Sequence, residues 1–263
     1  MDKLQKYFDR LWANYISMTP QALAIKELFE NNGETIVNDH IALRTFNHPK
    51  VNIIKLATYF TKYGYVKKGE YKFEEKKLFA IHLEHQNPLM PKVFISELLL
   101  EEFSTEFQKT CSEIIDGIDE ALIESEDFLM SGRTWDISYS NYEKLLKESE
   151  YGAWMSAIGY RPNHFTISVN HLKNLSDLTE LNKFLKENGF SLNESGGEIK
   201  GSKEVCLEQS STLADKIQVK FSDKTTEIPS CYFEFAKRYE DETGKLYQGF
   251  VAKSADKIFE STN

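Results

Sequence analysis

Apolar positions in the first thirty residues recur every three or four places. Leu4, Tyr7, Phe8, Leu11 and Tyr15 form one series, and after Thr19-Pro20 a second runs through Leu23, Ile25, Leu28 and Phe29. That spacing predicts two helices over residues 2–31, with Asn31-Asn32-Gly33 as the stop signal. From about residue 40 the pattern changes to strands. HIALRTF reads as a strand and VNIIKLATYFTKYGY (51–65) as a helix, followed by extended stretches at 71–74, 78–85 and 92–98. The order is β-α-β-β-β, and residues 164–238 repeat it. HFTISVNHL is a strand and LSDLTELNKFLKENGF (175–190) a helix ended by Asn188-Gly189. EIKGS, EVCLEQSST, the alternating KIQVKFS (216–222) and SCYFEFAKR (230–238) supply the strands that follow. In each copy a glycine, Gly64 or Gly189, closes the helix and a proline precedes the last strand. Self-similarity at this grain is a fold signature.

A β-α-β-β-β unit makes a curved sheet with one helix on its outer face, and two such units facing each other close a pocket. The expected fold class is therefore α+β. Residues 1–35 are N-terminal helices, 36–100 the first module, 101–160 a helical insertion, and 161–263 the second module with a C-terminal segment, all in one compact domain. Within the insertion Trp135, Tyr139, Tyr142 and Trp154 are the expected packing anchors.

Composition narrows the functions open to such a fold. The chain has 263 residues, 41% of them hydrophobic and 13% aromatic, enough for a sizeable core. A net charge of −9 without a long Lys/Arg run argues against a general nucleic-acid binder. No stretch approaches the roughly 20 apolar residues needed to cross a bilayer, and the charged N-terminus is not a secretory signal. Three scattered cysteines without a CxxC pair suit a reducing compartment. The expectation is a cytoplasmic protein without nucleic-acid or membrane partners.

Strand alternation sorts the candidate chemistry. In the first copy His40, Ala42, Arg44 and Phe46 share a face. In the second His164, Thr166, Ser168 and Asn170 share one, opposite Phe165, Ile167 and Val169. A polar row inside a curved sheet needs hydrogen-bond partners, a ligand or a metal. Glu234, between Phe233 and Phe235, adds a carboxylate to an otherwise apolar strand. Two imidazoles and one carboxylate make a facial triad with open positions, whose usual tenant beside an oxygen-rich substrate is non-haem Fe(II). His82 and Glu84 share another strand face as a rival metal pair. Glu97 stands where Glu234 would fall in the first copy, as a fourth ligand or a supporting base. His48 and His171 read as solvent-side.

DHIALRTF, NHFTISVNHL and EIPSCYFEFAKRY followed by LYQGFVAKSADKIFEST resemble the 2-oxoadipate dioxygenase/decarboxylase family, within the wider vicinal-oxygen-chelate group. The resemblance covers roughly residues 30–260. It implies that His40, His164 and Glu234 bind Fe(II) and that Arg44 holds a substrate carboxylate and serves catalysis. It also implies oxidative decarboxylation of a 2-oxo acid by O₂ to a 2-hydroxy acid, with release of CO₂. In the lysine-breakdown branch 2-oxoadipate becomes 2-hydroxyglutarate. This chain is shorter than that branch, with less sequence between its two histidines. Arg44 lies four residues from His40, about 13 Å along a strand, within reach for a forked grip on a diacid. Ser168, Asn170 and Tyr71 are further substrate-binding candidates, Lys76 and Lys77 rim candidates, and residues 246–256 a candidate lid with Gly249 at its turn. Two other readings stay open: Lewis-acid chemistry on the same metal without O₂, and a ligand-binding protein without chemistry. Oligomeric state is left open.

Overall fold

The computed structural model describes residues 3–251. Helices α1 (Lys3–Ile16) and α2 (Pro20–Asn31, with Pro20 in its first turn) come first. The first module follows as β1 (Asn38–Phe46), α3 (Ile53–Thr61), β2 (Val66–Phe73), β3 (Leu78–Glu84) and β4 (Lys92–Leu98). The segment between the modules holds α4 (Thr105–Asp116), α5 (Glu120–Glu124), α6 (Tyr139–Glu148) and α7 (Glu150–Ile158). The second module is β5 (His164–Ser168), α8 (Leu178–Glu187), β6 (Lys200–Ser202) and β7 (Leu207–Ser211). A hairpin, β8 (Lys216–Lys220) and β9 (Thr225–Pro229), then precedes β10 (Glu234–Arg238).

Both modules join one curled eight-stranded sheet in the order β2-β3-β4-β1-β5-β10-β7-β6. In each half the last strand returns parallel to the first, β4 beside β1 and β10 beside β5. The seam is the antiparallel pair β1–β5, where His40 faces Thr166 and Ala42 faces His164. That register is unchanged when the two strands are exchanged, as a pseudo-two-fold axis through the seam requires. The α+β class and the paired, vicinal-oxygen-chelate-like sheet are as expected.

Period-2 alternation also decides what lies behind the sheet. Phe165, Phe233 and Phe235 alternate with His164 and Glu234, so the phenylalanines point to the convex face and the ligands to the concave one. There α1 crosses the seam: the Trp12 ring meets Phe165 edge-on at 5.1 Å, Tyr15 lies 5.1 Å from Phe165, and Phe8 is 6.1 Å from Phe60 of α3. Among the described residues no helix is long and apolar enough to cross a membrane.

Four local expectations change. The stretch at 71–74 is the end of a longer strand beginning at Val66; its polar first half pairs only with β3 at the sheet's edge, where burial imposes no alternation. Residues 216–220 leave the main sheet for the β8–β9 hairpin, whose connecting turn grips the insertion: Phe221 packs 5.3 Å from both Tyr139 and Tyr142. The helix expected over 175–190 is confined to Leu178–Glu187, capped by the Asp177 side chain. The second-copy strand ends at Ser168, and Val169–His171 form a 3₁₀ turn.

Glu34 ties the N-terminal helices to the second module. Its buried carboxylate accepts the main-chain N–H groups of Lys173, Asn174 and Leu175 at 2.6, 2.8 and 3.1 Å. Glu34→Ala would strand these donors, and by the cost of unsatisfied buried groups it should destabilise the fold by about 2–4 kcal/mol. Urea denaturation reads this as a lower midpoint, and an unchanged midpoint would contradict it.

Candidate metal centre

Strands β1, β5 and β10 lie side by side at the middle of the sheet, and each presents one ligand to the concave face. His40 Nε2 is 3.5 Å from Glu234 Oε1, and His164 Nε2 is 3.4 Å from Glu234 Oε2. One donor atom from each of the three residues lies within 4.8 Å of the others, and all three residues are buried. These separations and this nitrogen-and-oxygen donor set suit one divalent ion.

The residue before each histidine fixes its ring. Asp39 Oδ1 is 2.8 Å from His40 Nδ1, and Asn163 Oδ1 is 2.9 Å from His164 Nδ1. Each oxygen accepts the Nδ1–H, which assigns the tautomer and leaves Nε2 with its lone pair toward the centre. On a regular strand neighbouring side chains point apart. A register shift between Asn38 and His40 brings Asp39 to the same side as its neighbour, and Asn163 stands just before β5 begins. Gln209 Nε2 donates to Glu234 Oε1 at 2.5 Å, and the Thr166 hydroxyl lies 3.1 Å from His40 Nε2.

Burial sets the charge state. It pushes the Glu234 carboxyl up to about 8, against the pull of Gln209. It lowers His40, against the hydrogen bond and charge of Asp39. It holds His164 well below the ordinary range, with His40 and Arg44 adding to the effect. Burial works against ionisation of Asp39 too, but Arg238 and His40 outweigh it and keep that carboxyl well below its usual range. Without a cation, then, the three ligands are neutral near pH 7.

The first-copy counterpart of Glu234 is not Glu97. Glu234 pairs with Thr166 and Phe94 pairs with Ala42, and those partners are equivalent under the seam's exchange. Phe94 therefore fills the fourth corner. Glu97 is three places further, an odd offset that puts it on the opposite face, where its Oε2 accepts Ile53 N–H at 2.8 Å at the start of α3. His82 is no ligand partner either: its Nδ1 lies 2.8 Å from Tyr71 Oη and its Nε2 2.9 Å from Glu84 Oε1. His82 and Glu84 do meet, but as a hydrogen-bonded pair backed by Tyr71.

The other candidates divide. Arg44 is buried on the concave face, its guanidinium 4.8 Å from the Tyr151 ring and 4.9 Å from the Trp154 ring, both from α7. It borders the cavity at the ligands and also a second cleft lined by Lys76 and Lys77, so those lysines rim a different space. Ser168 is buried but lies outside the ligand cavity, with its Oγ 2.9 Å from His171 Nδ1. Asn170, expected to contact substrate, is exposed; in the 3₁₀ turn its amide binds the main-chain N–H and C=O of Arg238 at 2.8 and 2.9 Å. Tyr71 also stays outside the cavity and receives the N–H of Phe250 at 3.1 Å. Phe250 itself closes the cavity, 4.8 Å from the His40 ring and 4.9 Å from Phe94. Of the candidate lid, the part from 252 on lies outside the described residues.

Among the lining residues not read from the sequence, two carry polar atoms without partners. The Tyr232 hydroxyl and the Asn163 amide nitrogen are buried and have no hydrogen-bond partner among the described residues. Tyr232 stacks on the His164 ring at 4.7 Å. Its signal was its place two residues before Glu234, which turns it to the ligand's side of the strand.

The 2-oxoadipate dioxygenase/decarboxylase family model matches residues 8–246. The chain belongs to that family. A rice protein named 2-oxoadipate dioxygenase/decarboxylase, chloroplastic/amyloplastic, is 38% identical over 95% of this chain and 76% of its own length. The crystal structure of rice hydroxyglutarate synthase in complex with 2-oxoadipate matches with a TM-score of 0.92 at 34% identity, covering 100% of this chain and 94% of that one. A crystal structure from Shewanella frigidimarina NCIMB 400 also gives 0.92, at 54% identity over 96% and 99% of the two chains.

For this family member, cation binding must expel the Glu234 proton. Apparent affinity for a divalent ion should rise about tenfold per pH unit below pH 8 and level off above it, because the carboxylate form is then already present. Calorimetric titration with Mn(II) at pH 7 in two buffers of different ionisation enthalpy should give heats corresponding to about one proton released. Equal heats in both buffers would contradict the assignment.

Proposed function

We propose that this chain is an Fe(II)-dependent dioxygenase that decarboxylates a 2-oxo acid of the 2-oxoadipate type. For 2-oxoadipate the products would be 2-hydroxyglutarate and CO₂, with both atoms of one O₂ taken up. The observation that carries this reading is the chemistry gathered at one cavity. His40, His164 and Glu234 meet there with the unpartnered donors of Tyr232 and Asn163 beside His164, apolar Phe94 and Phe250 line the same cavity, and Arg44 borders it four residues along β1 from His40. A diacid has the complementary parts, two charged ends and a methylene chain. The match to a rice protein solved with 2-oxoadipate supports the same substrate class.

His40, His164 and Glu234 would hold the iron, and Phe94 in place of a fourth ligand leaves coordination positions for small molecules. Bound Fe(II) supplies the redox chemistry toward O₂ and an electrophilic centre for the 2-oxo acid. The protein's own residues do the rest. Arg44, held over the Tyr151 and Trp154 rings, would present its planar fork to a carboxylate. Burial holds the Tyr232 phenol well above its ordinary range, with Glu234 adding to the effect, so it stays an O–H donor. Asn163 uses its carbonyl oxygen on His164 and has its N–H₂ left for an acceptor. Phe94 and Phe250 keep water from the methylene chain and sharpen each polar contact. Free Cys111, Cys206 and Cys231 support a reducing, cytoplasmic setting.

Protein reconstituted anaerobically with Fe(II) and given 2-oxoadipate should consume one O₂ per CO₂ released. His40→Ala, His164→Ala and Glu234→Ala should each lose activity by about 1,000-fold or more, together with the iron. Arg44→Met should keep the iron and raise KM by roughly 30- to 100-fold, as expected for a lost charge-assisted pair. CO₂ release without O₂ uptake would replace the oxygenase reading with Lewis-acid chemistry.

A further inference from the structure

Arg238 ends β10 and is buried, and its guanidinium is divided between two tasks. Nε and Nη2 grip the two oxygens of Asp39 at 2.7 and 2.8 Å. Nη1 donates to the carbonyls of Tyr247 and Gly249 at 3.1 and 2.7 Å. Asp39 holds the ring of His40, and Gly249 precedes Phe250, which closes the cavity against that same ring. One side chain thus touches both the support of a metal ligand and the strap across the pocket. Among the described residues the other half of the site shows no such link, since His164 is held by the uncharged Asn163.

Resting on the metal reading above, we propose that Arg238 is a positioning residue coupling cation occupancy at His40 to the seating of the 247–250 strap. A guanidinium is a rigid fork, so it cannot turn toward one set of acceptors without loosening the other. A cation at His40 Nε2 makes the Nδ1–H a stronger donor and tightens its bond to Asp39. Asp39 then holds the fork where Nη1 meets both strap carbonyls. Coupling of this kind is reciprocal: the seated strap raises the affinity for the cation by the factor with which the cation favours the seated strap. The pocket would therefore close best when loaded.

Two measurements on the full chain test this without turnover. The first is the dissociation constant for Co(II), read from its visible absorption, in wild type and Arg238→Lys. Lysine keeps the charge and loses the fork, and the constant should rise about tenfold or more, as for other supports of a metal ligand. The second is the rate of tryptic cleavage after exposed Lys245, just before the strap. Co(II) should slow it several-fold in wild type and leave it unchanged in Arg238→Lys. Equal Co(II) affinities, or equal protection in both proteins, would overturn the coupling. Should Arg238→Lys not fold, Asp39→Asn gives the same reading, because it keeps an acceptor for His40 and breaks the grip on Arg238. Failure of the wild type to bind Co(II) would remove the metal reading itself, and the coupling with it.

Discussion

The antiparallel pairing of β1 with β5 is the contact on which the rest of this chain depends. It sets the starts of two distant strands side by side, with the two imidazoles on one face and the phenylalanine that α1 covers on the other. A slip of one residue would turn every side chain of one strand to the wrong side. The aromatic packing behind the seam therefore fixes register as much as it adds stability. With register fixed, β10 needs only to lie parallel to β5 for Glu234 to arrive between the histidines.

Duplication supplies the pocket, and departures from it supply the chemistry. Equivalent positions carry His40 and His164, Asp39 and Asn163, but also Phe94 and Glu234, and Arg44 and Ser168. A site built from two copies of the second module would have two carboxylates and no arginine, and one built from two copies of the first would have two arginines and no carboxylate. Substitution on one side only leaves one carboxylate beside two imidazoles, with a single guanidinium bordering the same cavity.

Much of this was legible in the residues alone. The repeated histidine after Asp or Asn and the carboxylate among aromatics marked the three side chains that converge at the centre of the sheet, because burying such groups without purpose is costly. Glu97 was misplaced because counting along a strand gives faces only once its pairing is known, and three places is an odd step. Asn170 was misplaced because the strand ended two residues before it and the chain turned. The positions of Tyr232, two before Glu234, and of Asn163, just before His164, were visible in the sequence, but that each keeps an unpartnered donor is disclosed only in three dimensions. The insertion's position was equally closed to periodicity, since its amphipathic helices α4 and α6 pack against each other and α7, partners that meet only in the fold.

That insertion brings Tyr151 and Trp154 against Arg44, although neither residue belongs to the duplicated modules. The clustered side chains and the proposed anchor thus reside on different stretches of one polypeptide: the repeats bring His40, His164 and Glu234 together, and the interposed helices frame Arg44. On the proposed function, change confined to that one interposed stretch would alter the acid accepted while the duplicated cradle stayed as it was.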